Sequence, residues 1–67
     1  MTSSVIASVG YDPATKTMDV EFRTGRLYRF FGIMPHDHNA LISAESIGRH
    51  FNAKIRNRFP CREIQRS

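Results

Sequence analysis

Six consecutive residues in the first half of the chain leave it the least freedom. Met18, Val20 and Phe22 alternate with Asp19, Glu21 and Arg23, a period of two that puts the apolar side chains on one face of a strand and the charges on the other. Thr24-Gly25 interrupts the run, and Leu27 to Ile33 resumes it with Tyr28, Phe30 and Phe31. A two-residue loop at Thr24-Gly25 would demand positive φ at Thr24, which a β-branched residue resists. A three-residue loop, Arg23-Thr24-Gly25, instead puts Gly25 at the left-handed position of a type I turn with a G1 bulge. That register sets Val20 opposite Tyr28, Met18 opposite Phe30 and Asp19 opposite Arg29. Met18, Val20, Phe22, Tyr28 and Phe30 then share one face, whereas a one-residue slip would mix Arg29 into the apolar set.

The flanking segments follow from local chemistry. Val5 to Tyr11 reads as a strand, and Asp12-Pro13 closes it, with Pro13 presetting φ for a turn. Pro35 fits the first position of a short helix with Asp37 in its first turn. Leu41 and Ile42, with His38 before them, are expected to form the inner stripe of that helix. Ser46 is placed to cap a second helix, on which Ile47, Phe51 and Ile55 recur at four-residue steps and form one face. Arg58 would fall back into the apolar stripe, so this helix should end by Asn57. Phe59 and Ile64 are free to return to the core, and Gln65 to Ser67 is expected to fray. The predicted fold class is α+β: a three-stranded antiparallel meander followed by two short helices packed on one face.

Size and charge narrow the function. The 67 residues make one domain, 1–67, with 40% hydrophobic residues and a single cysteine, so no internal disulfide can reinforce a core that is small for its surface. No run approaches the ~20 apolar residues of a spanning helix. Met1 to Gly10 lacks the charged and apolar regions of a secretory signal. The expectation is therefore no membrane association, a reduced Cys61 and a cytoplasmic location. The net charge of +4 is unevenly placed. Through residue 44 the charges cancel, and the whole excess lies in residues 45–67, where Arg49, Lys54, Arg56, Arg58, Arg62 and Arg66 face only Glu45 and Glu63.

Several stretches resemble the KTSC domain family, found as short free-standing bacterial proteins and at the C-terminus of some lysyl-tRNA synthetases. They are Ser3-Ser4-Val5-Ile6, Gly10-Tyr11-Asp12, Tyr28-Arg29-Phe30, Pro35, and Ala44 through Ser46 and Gly48 to Phe51-Asn52. The matching stretch runs from about residue 3 to residue 64, in the family's order. Phe30 replaces the second tyrosine of the family's Tyr-x-Tyr, which removes one hydroxyl. The resemblance implies RNA binding, by association with a tRNA synthetase.

The candidate residues divide by chemistry. Arg49, Lys54, Arg56, Arg58 and Arg62 are the predicted nucleic-acid contacts, acting as cations on a phosphate backbone, with Phe59 interleaved as in single-strand binders. Arg23 and Arg26 extend that surface only if the fold brings the hairpin tip to it. Tyr28 and Phe30 could stack bases, but they share their face with Met18, Val20 and Phe22, so they are read as core. His36 and His38 are two apart and diverge on a helix, and with one cysteine they assemble no metal set; no cofactor is expected. Cys61 between Arg58 and Arg62 has no oxyanion donor or orienting partner that the sequence can name, so no catalytic residue is assigned. The leading reading is a non-catalytic nucleic-acid-binding domain, RNA favoured. The alternative is a protein-interaction module, with Leu27 and Phe31 on the other sheet face covered by a partner or by a second copy in a homodimer.

Overall fold

The computed structural model of the chain describes residues 5–64. Strands β1 (Ile6–Asp12), β2 (Thr17–Phe22) and β3 (Leu27–Phe31) form an antiparallel meander. Helix α1 (Pro35–Ile42) and helix α2 (Ile47–His50) follow, and α2 runs directly into a π-helical turn at Phe51–Ile55. Strand β4 (Cys61–Ile64) then pairs with β3, giving the order β1-β2-β3-β4. The class is α+β, and the sheet has four strands where the sequence predicts three. Cys61-Arg62-Glu63-Ile64 shows no alternation that would mark it as a strand. The open edge of β3 provides its hydrogen bonds instead, beginning with Phe31 N–H donating to the Pro60 carbonyl at 2.9 Å.

The central hairpin has the expected register. Met18 faces Phe30, Asp19 faces Arg29 and Val20 faces Tyr28. Gly25 N–H donates to the Phe22 carbonyl and Phe22 N–H to the Arg26 carbonyl, both at 2.9 Å. Gly25 has φ +95°, the left-handed value that a type I turn with a G1 bulge requires. Gly32, at φ +76°, ends β3 two residues before the predicted limit and turns Ile33 inward to full burial.

Strand β1 contains an irregularity that its residue pattern conceals. Ile6 pairs with Phe22 and Ser8 with Glu21, so Ala7 is an extra residue in the ladder. The bulge restores parity: Ile6, Val9 and Tyr11 all face inward despite the odd spacing from Ile6 to Val9. The β1–β2 turn is held by Asp12, whose Oδ1 accepts from Ala14 N–H at 2.9 Å. Lys16 takes φ +57° there and accepts from Ile33 N–H at 2.9 Å through its carbonyl.

The helices cover the inner sheet face. Pro35 is the first residue of α1, and Asp37 Oδ2 accepts from Met34 N–H at 3.1 Å. Leu41 is fully buried, but Ile42 is 49% exposed, so the inner stripe of α1 is one residue wide at its end. Ser46 Oγ accepts from Arg49 N–H at 3.3 Å and caps α2. Arg56 N–H reaches back five residues to the Phe51 carbonyl at 2.9 Å, the wide turn of a π-helix. Ile6, Met18, Val20, Phe30, Ile33, Leu41, Phe51 and Ile55 form the buried core. Phe59 packs half-buried against it, whereas Ile64 lies opposite Leu27 on the other sheet face.

Candidate nucleic-acid interface

The two ends of the inner sheet face are finished differently. At the end carrying the Asp12–Thr17 turn, Tyr11 stacks on His38 with ring centroids 4.6 Å apart and planes 11° from parallel. The Tyr11 hydroxyl donates to the Ile33 carbonyl at 2.7 Å. Burial raises the pKa of this phenol, and the negative charges of Asp37 and Asp12 raise it further, so the group remains a hydrogen-bond donor. Tyr11 and Asp12 of the Gly10-Tyr11-Asp12 stretch thus have structural work: one seals the end of the core and the other forms the turn.

Among the described residues, the hairpin end is left open. Phe22 meets Tyr28 edge-to-face at 5.6 Å and Phe51 at 5.5 Å, and Phe51 meets Phe30 in the same manner at 5.3 Å. Phe30 and Phe51 are buried, at 2% exposure each, while Phe22 and Tyr28 are half-buried. The helical segment does not extend over this part of the sheet. A cleft of about 480 Å³ remains between the hairpin tip and the π-turn, with these four rings in its lining.

Three guanidinium groups rim that cleft: Arg23 and Arg26 from the hairpin and Arg56 from the residue after the π-turn. Among the described residues none of the groups lining it is a carboxylate. Arg26 Nη1 lies 3.7 Å from Glu63 Oε1, and the Tyr28 hydroxyl, followed by the charge of Glu63, raises the Arg26 pKa. Arg56 Nη1 donates to Asn52 Oδ1 at 3.4 Å, a long hydrogen bond on the surface. Cys61, an exposed free thiol, also lines the cleft.

The sequence-predicted cations separate into two groups. Arg49, Lys54, Arg56 and Arg58 are all exposed on the continuous segment from α2 through the turn that follows the π-helix. Arg62 is exposed on β4, and its pairing with Arg29 puts it on the sheet face turned away from the helices. One surface therefore cannot include all five. Arg23 and Arg26, in contrast, line the same cleft as Arg56, from positions some thirty residues away in the chain. Their adjacency to Thr24-Gly25 was the signal available in the sequence, and it fixed only that they flank a turn. Phe59 is committed to the core, so it does not interleave with the basic residues as a free ring. Of the paired histidines, His36 Nε2 lies 3.3 Å from Asp37 Oδ1 while His38 stacks on Tyr11. Among the described residues, no cluster of three or more His, Cys, Asp or Glu side chains is placed to hold a metal ion.

The outer sheet face is a mixed surface. Arg29 Nε and Nη2 donate to Asp19 Oδ1 and Oδ2 at 2.8 and 3.1 Å, a bidentate pair whose hydrogen bonding and charge raise the arginine pKa. Ser8 Oγ donates to Glu21 Oε1 at 3.0 Å. Leu27, Phe31 and Ile64 are half-buried around these charges. Among the described residues, no helix is long and apolar enough to cross a membrane.

Comparison with known proteins agrees with this architecture. The KTSC domain family model matches residues 2–59. A crystal structure of a KTSC domain protein from Yersinia pestis superposes with a TM-score of 0.91 at 37% identity, covering 97% of this chain and 92% of that one. A protein of Stutzerimonas stutzeri is 48% identical over 50 residues, which is 75% of this chain and 70% of that protein. A lysine–tRNA ligase of Nostoc punctiforme is 34% identical over 61 residues, 91% of this chain but only 11% of the ligase.

Proposed function

The chain belongs to the KTSC domain family, and on that premise we propose that it is a non-catalytic nucleic-acid-binding module, with RNA as the favoured partner. The observation that carries this reading is the concentration of exposed cations on the segment from α2 to the turn before β4. Arg49, Lys54, Arg56 and Arg58 all lie there, within the third of the sequence that holds the whole net charge of +4. Four of the five cations first assigned to nucleic acid are thus on one stretch of chain, with Arg62 as a separate contact from the other side of the sheet. Arginine dominates the set, and its planar fork matches phosphate oxygens better than an ammonium does. The likeness to part of a lysine–tRNA ligase supports the choice of RNA over DNA, since its name links that relative to tRNA.

Fluorescence anisotropy with a single-stranded RNA oligomer, repeated over a series of salt concentrations, tests the reading. Each phosphate neutralised contributes a slope of about −0.7 in log affinity against log salt. Replacing Arg49 and Arg58 by Ala should weaken binding and make the slope shallower by about one contact per residue. Replacing Arg62 alone should have the smaller effect of a contact outside the helical surface. No binding to RNA at low salt overturns the reading. A mass that rises with protein concentration, together with that result, would favour self-association through Leu27, Phe31 and Ile64.

A further inference from the structure

We infer that the cleft at the hairpin end is a binding pocket for one unpaired nucleotide, its base against Tyr28 and its phosphate on the surrounding arginines. The inference rests on the RNA-binding reading for the source of that nucleotide, but its chemistry follows from the cleft itself. The volume, about 480 Å³, lies within the range that encloses small organic ligands. Its lining combines an aromatic floor with cations and no carboxylate, an arrangement suited to a planar group that carries negative charge.

The parts have separable tasks. Phe30 and Phe51 are buried, at 2% exposure each, and form the base of the cleft. Tyr28 is half-buried and lines the cleft, and base–aromatic stacking contributes about 1–3 kcal/mol per base in single-strand binders. Arg26 is already engaged by Glu63 at 3.7 Å. Arg23 forms no ion pair with a carboxylate among the described residues, and Arg56 makes only its 3.4 Å bond to Asn52 among those observed. These two are the guanidinium groups with charge left for a phosphate. A stacked ring and a phosphate-bound fork together recognise a nucleotide, whereas either alone would recognise only an apolar group or an anion.

The same sheet face at its other end offers no such site. There Tyr11 is covered by His38 and its hydroxyl is bound to Ile33. The outer sheet face has apolar side chains beside charges, but nothing in the structure identifies what would cover them.

Cys61 provides a reporter, because it is an exposed thiol in the cleft lining. The experiment measures its rate of alkylation by a maleimide dye in the intact protein. Three additions are compared: a single-stranded RNA oligomer, a fully paired RNA duplex, and uridine or adenosine 5′-monophosphate. The single strand should slow alkylation several-fold and the duplex should not; slowing by the monophosphate as well would mean that a free nucleotide also enters. Tyr28→Leu and, independently, the surface change Arg56→Glu should each abolish the protection. Arg56→Glu guards against a folding artefact, since Arg56 is exposed and outside the core.

If the oligomer binds in the anisotropy assay but Cys61 reacts at its free rate, the cleft is not the site and the inference is overturned while RNA binding stands. If the oligomer does not bind yet the monophosphate protects Cys61 in a Tyr28-dependent way, the RNA reading fails and the pocket stands for a free nucleotide. Absence of protection by every ligand overturns the pocket.

Discussion

Two tyrosines on the same sheet face have opposite situations. Tyr11 closes one end of the core: its ring stacks on His38 and its hydroxyl donates to the Ile33 carbonyl at 2.7 Å. Tyr28 stands at the other end, half-buried beside Phe22, with Arg26 next to its hydroxyl and a cleft before it. The difference comes from where the helices lie. Helix α1 brings His38 onto Tyr11 at the turn end, while the π-turn brings Phe51 to the floor of the hairpin end. A core of this size therefore need not be covered uniformly. It can be sealed where stability is generated and left open where a ligand could be taken.

The largest effect that would sharpen the contrast is at the sealed end. Ile33 is fully buried, so Ile33→Ala should lower unfolding free energy by about 2–5 kcal/mol in urea titrations. In a chain of this length that loss threatens folding altogether. Tyr28→Leu should reduce stability by no more than about 1.5 kcal/mol, because the position is half-exposed and the change conserves much of its apolar contact. If the Tyr28 variant proved as unstable as the Ile33 variant, the contrast between closed and open ends would be broken.

The smallest effect concerns pH. The pKa of Tyr11 is raised by burial first and then by Asp37 and Asp12, so the folded state favours the neutral phenol. That contribution is present in full below the ordinary tyrosine range and is lost as pH rises through the raised value of the folded state. Tyr11→Phe should therefore show a shallower loss of stability than the parent chain as pH rises above the ordinary tyrosine value of about 10. An unchanged alkaline limb would mean that the Tyr11 phenol does not couple to folding.

Legibility of the fold varied with the kind of interaction. The hairpin register could be read because Thr24 excludes one loop, Gly25 permits the other, and a slip would bury Arg29. The caps at Pro35, Asp37 and Ser46 were equally local. Strand β4 was not legible, since Cys61-Arg62-Glu63-Ile64 is selected by the free edge of β3 and not by its own pattern. The bulge at Ala7 was concealed for a related reason: the partner strand decides which residue is the extra one. Ile42 resembled core by spacing, yet α1 ends before anything covers it.

The candidate site was legible in half. The charge excess of residues 45–67 pointed to Arg49, Lys54, Arg56 and Arg58, and no structure was needed to see that they were cationic and close in sequence. That Arg62 faces away from them follows from one extra strand pairing. That Arg23, Arg26 and Arg56 line one cleft with an aromatic floor follows from the packing of Phe51 against Phe22 and Phe30.

By itself, the sequence determined which side chains of β2 and β3 share a face, because alternation and turn chemistry act over a few residues and tolerate one register. Only the tertiary structure decided how far the helices extend over that face. That boundary depends on a wide helical turn, a fourth strand and contacts between residues distant along the chain, and it is this boundary that leaves Tyr28 and three arginines around an open cleft.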